Sequence, residues 1–168
     1  MAPKDNKEGE LRARLTASAD ALKLAIDGAS ADLEGSALVA KIDAVKDALQ
    51  EANDAKAAVE EGRKGKPKPD EQKEEDDFAA LIGAATTTFG EMEAKKKKEK
   101  DLARQNVMKA AAKAAPYTGD KAELEGAVKA AMDAGVADKD VADAQEKLTA
   151  MISFHKMLEY ATNDLVKA

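Results

Sequence analysis

Residues 37–61 read ALVAKIDAVKDALQEANDAKAAVEE. Leu38, Ile42, Val45, Leu49, Ala52 and Val59 recur at steps of four and three, and Lys56 takes the one seam position that breaks the series. That spacing puts all of them on one face of an α-helix, because a helix returns to the same face every 3.6 residues. A two-stranded coiled coil and a bundle helix share the pattern. Three heptads is short for the former, so a bundle helix is predicted.

Upstream, a helix is expected over 8–29, with Leu11, Leu15, Leu22 and Ile26 on one stripe and Ala19 filling a gap. Gly28 and Gly35 bracket a turn, and Ser36 is the expected N-cap, since its hydroxyl can accept from a free amide of the first turn. Downstream, 62–77 reads GRKGKPKPDEQKEEDD. Two glycines, two prolines and no large apolar residue predict a solvated linker. Its terminal acids suit the positive end of the next helix.

A third helix is predicted over 78–115. Phe78, Ile82, Ala85, Phe89 and Met92 share a face, and Ala103, Val107, Ala110 and Ala114 resume it. Between them the seam fails at the KKKKEK run, 95–100. The reading favours one nearly continuous helix, stopped by Pro116. A short helix follows over 121–134, with Leu124, Val128 and Met132 on its face and Gly135 as a left-handed C-terminal cap. Asp138 is expected to cap the last helix, 139–166, whose stripe holds Val141, Leu148 and Ile152 with the Met151, Leu158, Leu165 series.

The predicted fold is therefore all-α, with four to five amphipathic helices as an antiparallel bundle or two helical hairpins. The predicted organisation is a hairpin over 1–61, a charged linker over 62–77, and a long helix plus hairpin over 78–168. Residues 25–32 (AIDGASAD) match residues 131–138 (AMDAGVAD) at four positions, as a duplicated hairpin would.

Composition narrows function mainly by exclusion. The chain has 168 residues, net charge −6, 36% charged residues and no cysteine. Disulfide frameworks, thiol catalysis and thiolate metal sites are thereby excluded. A single histidine leaves no multi-histidine metal site. Aromatic residues make up only 3%, which disfavours an all-β domain. No window approaches 18 apolar residues, so no transmembrane helix is expected. The opening MAPKDNKEGE has no apolar signal core and carries early acids, so a cytoplasmic or other intracellular location is expected, with a cytoskeletal one the finer reading.

Individual residues offer little chemistry. His155 has no nucleophile or acid placed beside it by local spacing. A calcium loop started at Asp138 would put Ala142 and Asp143 at its fifth and sixth positions, where an oxygen ligand and a glycine are needed. Gly62-Arg-Lys-Gly-Lys66 lacks the spacing of a phosphate loop. No catalytic, cofactor or metal residue is assigned, and the chain is read as a non-enzyme.

The basic run is the most distinctive feature. Lys95, Lys96, Lys97, Lys98 and Lys100 reverse the sign of an acidic chain, which suits an acidic protein surface. No aromatics interleave them, so nucleic acid is not expected. These lysines, with the seam Leu38, Ile42, Val45 and Leu49, are the predicted partner-binding residues.

With no family motif to quote, likeness is general only. In size and helix count the chain resembles exchangeable apolipoproteins of the five-helix type. In its Ala/Glu/Lys-rich composition it resembles the helical parts of cytoskeletal and axonemal proteins. The expected function is that of a structural or adaptor component of a larger protein assembly. The alternative is a carrier of lipid or apolar ligands that opens at 62–77, with peripheral lipid contact.

Overall fold

The computed structural model describes residues 6–29, 32–63, 65–114 and 119–167. Five helices follow in order: α1 (Asn6–Ile26), α2 (Gly35–Gly62), α3 (Pro69–Lys113), α4 (Lys121–Asp133) and α5 (Asp138–Lys167). No strand occurs among the described residues, and the helices pack as a helical bundle does. The all-α expectation therefore holds. The chain divides into two units, Met1–Lys95 and Lys96–Ala168. The division falls inside α3, not at 62–77.

The third helix begins earlier than its apolar seam does. Residues 69–77, expected as linker, are its first turns. Pro69 at the first helical position has its φ pre-set and no amide to lose. The Glu71 carboxylate accepts from the Lys68 amide at 3.0 Å, one half of a capping box. Only 63–68 connects α2 to α3. Within α3, Thr86, Thr87 and Thr88 each donate to the carbonyl four residues back, at 2.8–3.1 Å, so their hydroxyls are satisfied inside the helix. It runs unbroken through the lysine run, as predicted. Pro116 lies outside the described residues.

In the first unit, α1 and α2 form an antiparallel hairpin, bridged by Arg14 to Glu51 at 2.9 Å. The stretch 69–95 of α3 packs into the hairpin. Leu15 and Leu22 of α1, Ala52 of α2, and Phe78 and Ala85 of α3 make one cluster. Ala25, Leu38, Ile42, Val45 and Met92 make the next. The α2 seam buries Ala55 in place of Lys56, because an alanine one position earlier faces the same groove. Ser36 does not cap α2. The helix starts at Gly35, and the residue before it, Glu34, is extended and makes no side-chain cap bond. Gly28 ends α1 at φ +76°, and Lys41 Nζ donates to the freed Asp27 carbonyl at 2.6 Å.

In the second unit, 96–113 of α3 packs with α4 and α5. Val107, Ala110, Ala111 and Ala114 meet Leu124, Val128 and Ala131 of α4, and Val141, Ala144 and Met151 of α5. Asp120 caps α4 through its carboxylate, which accepts from the amides of Ala122 and Glu123. Gly135, at φ +69°, ends it as predicted: its amide donates to Met132, and the Val136 amide donates to Ala131. The α4 face is not the predicted one. Met132 is 53% exposed and Ala131 is buried, so the seam steps from Val128 by three, not four, and the smaller side chain brings α4 close to its neighbours. Asp138 is the first residue of α5 rather than a preceding cap.

Candidate functional site

The predicted seam residues are not a docking surface. Leu38, Ile42 and Val45 are at most 2% exposed, and Leu49 packs against the same cores. Their hydrophobic face is consumed by α1 and α3. A partner would have to unfold the first unit to reach it.

The lysine run also divides by role. Lys95 Nζ donates to the Leu33 carbonyl at 2.6 Å, tying α3 to the segment that leads into α2. It is therefore a structural lysine of the first unit. Lys96 is half-buried. Lys97, Lys98 and Lys100 are exposed, and no ion pair is found for them among the described residues. They stand where α3 turns a polar face, because the apolar seam lapses there.

His155 is exposed, with its ring edge-on to Phe154 at 6.4 Å between centroids. Its Nδ1 lies 2.8 Å from the Met151 carbonyl, four residues back. That contact needs the proton on Nδ1, which makes the ring a local helix bond. Among the described residues no group of three or more His, Cys, Asp or Glu could hold a metal ion.

A concavity lies at the end of the first unit where α1 starts, α2 ends and α3 starts. It is an open cleft of about 570 Å³ with an apolar floor of Leu11, Leu15 and Val59. Its charges compensate one another. Arg12 pairs with Glu71 at 2.5 Å and with Glu74 at 3.9 Å, and Arg63 pairs with Glu75. The arrangement is a clamp that holds α1 and the end of α2 to the start of α3. Gly62 packs close to α1 there: a Cβ would stand 2.6 Å from Leu11 Cδ1, so a larger residue would oblige the Leu11 side chain to move.

Glu71 is the titratable centre of the clamp. The Lys68 amide holds its carboxyl below the usual glutamate range; burial opposes this, and the Arg12 guanidinium reinforces it. A lowered folded value means the carboxylate stabilises the fold above its unfolded titration, and this is lost as pH falls through the folded one. Glu71→Gln is therefore expected to lower the melting temperature at neutral pH. The gap from wild type should close in acid, below the carboxylate's titration. A pH-independent gap in thermal melts would refute the ionic account.

Among the described residues no helix is long and apolar enough to cross a membrane. Comparison with protein-family models, with curated proteins and with solved structures finds no match for the chain.

Proposed function

We propose that the protein is a non-enzymatic helical scaffold component of a larger protein assembly, engaging an acidic protein surface through Lys97, Lys98 and Lys100. The observation that carries this reading is the exposure of these three lysines on one stretch of α3, in an otherwise acidic chain. Three like charges within one helical turn attract an anionic surface at short range, and salt screens that attraction over about 10 Å at 0.1 M. A cytoskeletal assembly is the finer form of the proposal, supported by composition alone.

The test is affinity capture from source-cell lysate at low and moderate salt, read by mass spectrometry. A fixed set of proteins should be recovered and partly lost as salt rises. Replacing Lys97, Lys98 and Lys100 together by Glu should abolish that recovery while leaving the thermal melt unchanged, since exposed substitutions shift stability by about 0.5 kcal/mol or less. Recovery of the chain alone, or with lipid only, would sink the reading in favour of a carrier.

A further inference from the structure

The cleft of the first unit holds more than its clamp requires. Its volume, about 570 Å³, falls in the range of small-molecule pockets, about 300–1,000 Å³. On its α1 wall, Lys7, Leu11 and Leu15 stand four residues apart and share one face of the helix. They grade from exposed through half-buried to buried, and α2 adds the half-buried Val59. The wall is cationic at its outer end and apolar at its inner end. From Lys7 to Leu15 it spans about 12 Å of helix, room for an extended chain of about ten carbons.

The ion pairs of the clamp leave two cations over. Arg12 meets Glu8 at 3.8 Å, Glu71 at 2.5 Å and Glu74 at 3.9 Å; Lys68 also meets Glu71 at 3.6 Å, and Arg63 takes Glu75. Every carboxylate that lines the cleft therefore has its cation. Lys7 and Lys66 line it too; both are exposed, and no ion pair is found for either among the described residues. The lining carries five cations and four carboxylates, which leaves one positive charge. A monoanion with a hydrocarbon body satisfies both halves of this site. A phosphate alone would make no use of the leucines, and an uncharged hydrocarbon none of the lysines.

We propose that the cleft binds a free fatty acid of medium chain length, its carboxylate held by Lys7 and Lys66 and its chain laid along Leu11, Leu15 and Val59. A free chain is favoured over a bilayer because the apolar residues are recessed: Leu15 is buried, and Leu11 and Val59 are half-buried. A chain can slide into such a cleft, whereas a flat membrane surface reaches only its lysine rim. The site goes beyond the scaffold reading and does not rest on it.

The test is isothermal titration of the full chain with dodecanoate below its micelle concentration. Saturable one-to-one binding is expected. Decanoate should bind about tenfold more weakly, since each buried methylene contributes about a fourfold gain. Lys7→Glu combined with Lys66→Glu should weaken dodecanoate about tenfold or more at an unchanged thermal melt, because neither side chain pairs within the fold. Dodecyltrimethylammonium, the same chain on a cationic head, should not saturate the site. No saturable binding of dodecanoate, several equivalents bound, equal affinity for decanoate, saturable binding of the ammonium compound, or indifference to the lysine pair overturns the proposal. So does binding to phosphatidylglycerol vesicles with none of free dodecanoate, which would assign the lysine rim to a membrane surface. The chain with Lys97, Lys98 and Lys100 replaced by Glu should keep its dodecanoate affinity, which separates failure of this proposal from failure of the scaffold reading.

Discussion

Val45→Asp is expected to abolish cooperative folding of the first unit. Val45 is fully buried between α1 and α3, at the centre of the cluster that holds Leu38, Ile42 and Met92. Replacing it forfeits about 1.5–3 kcal/mol of apolar burial. It also places a carboxylate among apolar side chains with no partner, which costs several kcal/mol more even if the group protonates. A domain's whole stability is roughly 5–15 kcal/mol. Far-ultraviolet circular dichroism should show a large loss of helix at ambient temperature. Leu24→Asp, on the outer face of α1, serves as the control and should melt like wild type. A Val45→Asp chain that kept full helicity and its melt would mean that α2 does not pack as described.

Ala131→Leu should have the second-largest effect, with the opposite physics. Ala131 is fully buried where α4 approaches the other helices of its unit, among Val107, Val128 and Val141. The core is built on small residues, with Ala110, Ala111, Ala114 and Ala144 around it. Three added carbons must displace these neighbours, and overpacking a core costs about 1–3 kcal/mol. Ala130→Leu, one position along on the exposed face, should cost little. The check is the difference in denaturant midpoint at unchanged slope. Equal midpoints would show that α4 is loosely held.

Both results follow from an alanine-rich interior. Thirty-eight alanines make the chain look poor in core material when read as composition. In the folded chain they work by letting helices approach, so that a few large residues such as Leu22, Leu124 and Met151 fill each unit. That consequence belongs to packing geometry, and no count of large side chains reveals it.

The candidate site was only partly legible. The KKKKEK run stands out in any reading of the chain, but its division into a tethering Lys95 and an exposed Lys97, Lys98 and Lys100 depends on where the Leu33 carbonyl lies, 62 residues away. The seam Leu38, Ile42, Val45 and Leu49 was read correctly as a helical face and wrongly as a surface for a partner. Spacing shows that a face exists; only long-range packing shows what covers it. On α5, Leu158 lies seven residues beyond the buried Met151 and is 48% exposed, and nothing local distinguishes the two.

The sequence by itself determined that this protein is helical and nearly where each helix lies. Alanine, glutamate, lysine and leucine favour the helix residue by residue, and apolar spacing of three and four is a local property of one strand of chain. Gly135 as a left-handed cap was legible for the same reason. Tertiary structure alone decided that α3 belongs to two units and that Ala131 and not Met132 faces inward. Each of these depends on residues far apart in sequence meeting, as when Arg12 and Arg63 clamp the start of α3. Helical periodicity is written within a few turns, whereas the choice of which face meets which is made only when the whole unit has closed.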